Sequence, residues 1–142
     1  TLCPPTTERL SLLFETTDQV KNQILLVDDE EHMLRLLQFC LKPIPASIHC
    51  VKRGDAAVEF FKANHPNLVL LDYSMPGMDG VETLRQIRNQ EGGGAVPVIM
   101  LTARDQTAIR KEAAGLHVEA FLTKPFSPSD LVRRARELLD GT

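Results

Sequence analysis

The sequence predicts an α/β fold: a doubly wound (βα)5 three-layer sandwich around a five-stranded parallel sheet. Three observations carry that expectation. Runs such as Ile24-Leu25-Leu26-Val27 and Leu68-Val69-Leu70-Leu71 are apolar without alternation, as strands buried on both faces must be. Segments with apolar residues at helical spacing separate them. The length of 142 residues suits one such domain.

The elements follow in order. Residues 1–22 differ from the rest. Cys3-Pro4-Pro5-Thr6-Thr7 cannot continue a helix, whereas Leu10, Leu13 and Phe14 recur at helical spacing. This stretch reads as an N-terminal extension or linker, with a short docking helix as the alternative, and residues 23–142 as the domain. Ile24 to Val27 is the first strand. Met33, Leu34, Leu37 and Leu41 stripe a helix over residues 31–42, which Pro43 and Pro45 stop. Ser47 to Val51 reads as the second strand, Gly54 to Asn64 as a helix, and Leu68 to Leu71 as the third strand. Asp79 is an N-cap with Glu82 three residues on, a capping box that opens a helix to about Glu91, before Gly92-Gly93-Gly94. Pro97 to Leu101 is the fourth strand. Asp105 to Ala114 is helical, closed by Gly115. Ala120 to Leu122 is the fifth strand. Ser127 as N-cap, Pro128 at N1 and Asp130 at N3 start the last helix, which ends near Leu139, before Gly141.

Composition excludes several classes. Lys+Arg of 16 against Asp+Glu of 19 gives a net charge of −3, which rules out a generally basic nucleic-acid binder. No apolar run approaches the ~20 residues that span a bilayer, so no membrane partner is expected. No basic start leads into an apolar run, so no secretory signal is expected, and the chain reads as cytoplasmic. Cys3, Cys40 and Cys50 form no metal-spaced pair; Cys40 and Cys50 read as small buried thiols. His32, His49, His65 and His117 are scattered and read as surface or loop residues. Arg133, Arg134 and Arg136 read as a solvated face of the last helix.

In a parallel sheet the site lies outside the carboxyl ends of the strands. Strand one ends in Asp28-Asp29, strand three in Asp72, strand four in Thr102-Ala103 and strand five in Thr123-Lys124-Pro125. Three carboxylates, a hydroxyl and an ammonium thus share one rim. Two like charges ~4 Å apart repel by about 4 kcal/mol at an effective dielectric of 20, so something must offset them. Lys124 neutralises one charge, and a divalent cation such as Mg2+ suits a hard oxygen-rich site. Such a site has what phosphoryl transfer needs, with a carboxylate to attack and form an acyl phosphate.

Leu26-Val27-Asp28-Asp29-Glu30, Leu71-Asp72-Tyr73-Ser74-Met75-Pro76-Gly77-Met78-Asp79-Gly80, Met100-Leu101-Thr102-Ala103 and Phe121-Leu122-Thr123-Lys124-Pro125-Phe126 lie in the order seen in receiver domains of two-component response regulators. The chain resembles that family over about residues 23–140. The resemblance implies a flavodoxin-like strand order, 2-1-3-4-5. It implies Asp72 as phosphate acceptor and Mg2+ (or Mn2+) held by Asp28, Asp29, Asp72 and the backbone carbonyl of Ser74. Asp29 would ligate directly and Asp28 through water. Lys124 would pair with the acceptor and then the phosphoryl group, aimed by a cis bond to Pro125. Thr102 and Phe121 would be the switch pair, and backbone groups of Ala103 and Ser74 would face the phosphoryl group. Ser74 and Arg104 would flank the path of an attacking water; Tyr73 beside the acceptor reads equally as packing.

The implied partners are a sensor histidine kinase or a histidine phosphotransfer protein, and a downstream output domain or target protein. The chain would be free-standing or part of a larger regulator or hybrid kinase. Its output would run through the face of helix four, strand five and helix five, with a phosphorylation-dependent homodimer through that face compatible. No helix-turn-helix or zinc-finger pattern fits the rest, so no direct nucleic-acid contact is expected. It would catalyse only its own phosphotransfer and hydrolysis. The alternatives are a degenerate receiver binding partners without phosphorylation, a haloacid-dehalogenase-like phosphatase and a flavodoxin-like electron carrier. The first is opposed by the presence of every chemical position. The second needs a general acid two residues after a strand-one nucleophile. The third needs a phosphate loop where Asp28-Asp29 would repel phosphate.

Overall fold

Each apolar run forms a strand, and each striped segment between them forms a helix. The structure, a computed structural model, describes residues 22–103 and 106–140. Its elements are β1 (Gln23–Val27), α1 (Glu31–Cys40), β2 (Ser47–Val51), α2 (Gly54–Asn64), β3 (Leu68–Asp72), α3 (Gly80–Arg88), β4 (Val98–Thr102), α4 (Gln106–Glu112), β5 (Ala120–Thr123) and α5 (Pro128–Leu139). All strand pairs are parallel, in the order β2-β1-β3-β4-β5, the predicted 2-1-3-4-5. Residues 1–21, Arg104, Asp105, Gly141 and Thr142 lie outside the described residues, as do the expectations placed on them.

Strand alternation explains why the runs are apolar throughout. Leu25, Val27, Val69, Leu71, Val98 and Met100 face α2, α3 and α4. Their neighbours Ile24, Leu26, Leu68, Leu70, Ile99 and Leu101 face α1 and α5. Every one of these is buried, so one strand residue in two feeds each core. Each such side chain contributes roughly 1.5–3 kcal/mol of burial free energy before entropy costs.

The edges depart from the expected pattern. β2 lies at the sheet edge with only one neighbour, and Cys50 is exposed while Cys40 is buried. The expectation that both thiols are buried is therefore corrected: at this edge strand the cores cover each face only in part, reaching Ile48 on one and Val51 on the other. All four histidines are exposed, as expected.

The helix ends also shift. α1 stops at Cys40, and Leu41 and Ile44 pack into the core from the turn that follows. The chain there approaches Pro43, and a residue before proline leaves the helical region. α3 ends at Arg88 rather than Glu91, because the Arg88 guanidinium bonds the carbonyls of Gly93, Val96 and His117 and draws the chain into tight turns. Asp79 caps α3 through the Glu82 amide (2.9 Å), but Glu82 does not complete the box; its carboxylate binds Arg85 and Gln86 instead. Ser127 caps α5 through the Asp130 amide, with Pro128 opening the helix as predicted. Gly115 has φ +87°, the left-handed geometry expected where the α4 segment ends. Among the described residues no helix is long and apolar enough to cross a membrane.

Candidate functional site

The carboxyl ends of β1, β3, β4 and β5 bring the predicted residues to one rim. Asp28 is held just past β1 by its amide, which donates to the Val51 carbonyl (3.2 Å), and its Oδ1 accepts from the Glu30 amide (2.9 Å). Asp72 is the last residue of β3, and the Tyr73 amide after it donates to the Leu101 carbonyl (2.8 Å). The Lys124 amide donates to the Thr102 carbonyl (2.8 Å), so backbone pairing alone places the lysine beside β4. The Lys124–Pro125 bond is cis.

Lys124 Nζ lies 2.9 Å from Asp72 Oδ1 and 3.2 Å from Asp28 Oδ2. One carboxylate oxygen each of Asp28, Asp29 and Asp72 falls within 4.8 Å of the others. Asp28, Asp72 and Thr102 are buried, while Asp29, Ser74 and Ala103 are exposed at the mouth. Burial pushes the Asp72 carboxyl up to about 6; the Lys124 bond opposes this and the charges of Asp28 and Asp29 add to it. Burial pulls the Lys124 ammonium down, but Asp72 and Asp28 outweigh that and hold it above its ordinary value. One ammonium against three carboxylates leaves the rim with two uncompensated negative charges. A hard divalent cation fits that donor set.

Phe121 does not lie with this group. It is half-buried on β5, packed on the edge of the core shared by α2, α3 and α4, with the Arg110 guanidinium 4.3 Å over its ring. The same helix, α4, buries only Ile109 and is otherwise tied by polar contacts. Gln106 donates to Thr123 Oγ1 (2.7 Å), and the Tyr73 hydroxyl donates to Glu112 Oε1 (2.5 Å). Tyr73 therefore links the end of β3 to α4, a contact that its sequence position left open. Arg110, Gln106 and Glu112 were not singled out from sequence. Their partners lie 11, 17 and 39 residues away, and no spacing signal announces such pairs. Met75 is buried and Met78 half-buried against the same core, covering the loop after β3 as expected. Arg133 and Arg134 pair with Asp130 on α5.

A parallel sheet with an acidic, lysine-bridged rim at its carboxyl edge is an arrangement with the charge to take up a divalent cation or a phosphoryl group. The family model described as the response regulator receiver domain matches residues 24–136. The chain belongs to that family, whose members are signalling domains of two-component systems. It is 40% identical over 120 residues to the transcriptional regulatory protein ResD of Bacillus subtilis, covering 84% of this chain and 48% of that protein. The chain thus spans about half the length of the curated relatives it matches. Among solved structures it is similar to the Francisella response regulator 1452 receiver domain (TM-score 0.75, 26% identity, 84% of this chain and 97% of that one). It is also similar to the receiver domain of the sensor histidine kinase PA1611 of Pseudomonas aeruginosa, whose structure has a magnesium ion coordinated in the active-site cleft (TM-score 0.77, 28% identity, 84% and 98% coverage).

Proposed function

We propose that Asp72 accepts a phosphoryl group from a phosphohistidine on a sensor histidine kinase or a histidine phosphotransfer protein. The observation that carries this reading is the Lys124 ammonium bridging Asp72 and Asp28 within the three-carboxylate cluster. An Asp72 oxygen forms the bond to phosphorus while the phosphorus–nitrogen bond of the donor imidazole breaks. The ring nitrogen keeps the electron pair and takes up a proton. Lys124 moves its charge from the acceptor carboxylate to the phosphoryl oxygens. Asp28, Asp29, Asp72 and the Ser74 backbone carbonyl would hold Mg2+ or Mn2+, which supplies neutralisation of the phosphoryl charge. The Mg2+-containing neighbour supports that choice. Backbone groups of Ser74 and Ala103 at the mouth face the same group.

Thr102 and Phe121 form the switch in this reading. The Thr102 hydroxyl turns to a phosphoryl oxygen, and Phe121 turns inward and leaves Arg110. The half-exposed ring and the thin anchoring of α4 keep the cost of that repacking small. Phosphorylation then shifts the population towards a second arrangement of the α4–β5–α5 face. A downstream output domain or target protein reads that face, and a homodimer through it on phosphorylation belongs to the same reading. The domain is taken as residues 23–142, with 1–22 as an extension. It works in the cytoplasm beside its phosphodonor, contacts neither nucleic acid nor membrane, and catalyses only its own transfer and hydrolysis.

Borohydride trapping tests the acceptor. After acetyl phosphate and Mg2+, reduction converts an aspartyl phosphate to homoserine. Peptide mapping should find the change at residue 72. The same change at residue 28 or 29 would refute the assignment.

A further inference from the structure

Tyr73 directly follows the proposed acceptor Asp72, and its main chain is fixed on both sides. Its amide donates to the Leu101 carbonyl (2.8 Å), and its carbonyl accepts from the Gly80 amide (2.9 Å). Its ring is buried in the core under α2, α3 and α4. The hydroxyl reaches the end of α4, where it donates to Glu112 Oε1 (2.5 Å). A hydrogen bond to a carboxylate is stronger than one between neutral groups. The other holds on α4 are few. Ile109 is its buried residue, Gln106 ties its first turn to Thr123, and Arg110 lies over Phe121. An open cleft of about 250 Å³, lined by Val81, Glu82, Arg85 and Glu112, lies between its end and α3. The helix therefore has room to move on that side.

We propose that the Tyr73–Glu112 hydrogen bond restrains α4 in its resting position and so sets how readily Asp72 takes up a phosphoryl group. The inference rests on the reading of Asp72 as acceptor and of Phe121 as part of the switch. In that reading Phe121 leaves Arg110 when the switch turns. Arg110 and Glu112 ride on the same short helix. The arrangement with Phe121 under Arg110 is also the one in which Glu112 meets Tyr73, so the bond stabilises that side of the equilibrium. The buried Tyr73 ring cannot follow α4, so a shift of the helix stretches the bond. Transfer proceeds from the second arrangement, and its apparent rate scales with the fraction of molecules found there. Loss of the bond raises that fraction. Tyr73 and Glu112 are thus positioning residues that act through α4 and take no part in the bond-making.

Rates of phosphorylation by acetyl phosphate and Mg2+, read by intact mass on the full chain, test it. Tyr73→Phe keeps the buried ring and Glu112 is exposed, so both sites tolerate replacement, which hydrogen exchange in β1 and β3 would register. Tyr73→Phe and Glu112→Ala should each raise the rate about tenfold, the order of one hydrogen bond to a charged group. The double variant should be no faster than either single one. Glu112→Gln removes the charge but keeps an acceptor oxygen, and should stay nearer the wild type than Glu112→Ala. Tyrosine emission gives an independent reading, because Tyr73 is the chain's single tyrosine and the chain has no tryptophan. A carboxylate bonded to the hydroxyl quenches that emission, so Glu112→Ala should brighten it in EDTA. Rates at or below that of a phosphorylated wild type in Tyr73→Phe and Glu112→Ala would overturn this inference and leave the acceptor reading standing. Equal acceleration by Glu112→Gln and Glu112→Ala, with none from Tyr73→Phe, would also overturn it, assigning the effect to charge. A wild type that takes no phosphoryl group would sink both readings.

Discussion

Asp72 is the residue on which the chemistry and the stability of the domain disagree. Its folded pKa, about 6, lies above its ordinary 3.8. Between those values the folded state binds more protons than the unfolded chain. The protonated form therefore contributes stability that is present below pH ~4 and lost as pH rises through about 6. Asp72→Asn removes the charge without removing the volume. In EDTA, its urea midpoint should exceed that of the wild type, and the gap should widen from pH 4 to pH 6 and then level off. A constant gap would mean that burial does not strain this carboxylate. Lys124 supplies the opposite case, with its ammonium shared between Asp72 and Asp28. Lys124→Met should cost about 1–3 kcal/mol at pH 7 in EDTA, because two buried carboxylates lose their counter-charge. Combining it with Asp72→Asn should recover part of that loss, a coupling that denaturation of the four variants would read.

At the scale of elements, helix contacts are set by small residues as much as by apolar stripes. A Cβ at Gly54 would lie 2.2 Å from Thr83 Oγ1 and 3.1 Å from the Met78 carbonyl, where the start of α2 meets α3. Gly54→Ala should destabilise the domain by about 1–3 kcal/mol in chemical denaturation. Adding Thr83→Ala should return part of it, leaving the cost of the Met78 carbonyl. This close approach was invisible in the sequence, where Gly54 read only as a helix start. The site was far more legible. Asp28, Asp72, Thr102 and Lys124 each terminate or follow an apolar strand, and parallel topology sends all such ends to one edge. What escaped depends on tertiary context. Cys50 faces solvent because β2 is an edge, and α3 stops early because Arg88 finds carbonyls from the segment before β4 and the turn before β5. The Tyr73–Glu112 bond joins residues that no local pattern relates.

Across the whole molecule, the sheet divides two cores of different character. α2, α3 and α4 cover one face, and α1 and α5 cover the other. The acidic rim lies at the carboxyl edge of the sheet between them, so a charge added there bears on both layers. On one side it meets α4, which is held by one buried residue and a few polar contacts. The other layer is α1 and α5, with an apolar groove between them. Strand-to-strand backbone pairing, rather than the outer helices, places Asp72 and Lys124 in contact. Intact-mass measurement with acetyl phosphate tests that account most directly, run on the wild type with Mg2+, the wild type with EDTA, and Asp72→Asn with Mg2+. The account predicts one added phosphoryl group in the first sample and none in the other two. Equal phosphorylation of Asp72→Asn, or none in the wild type with Mg2+, would contradict it.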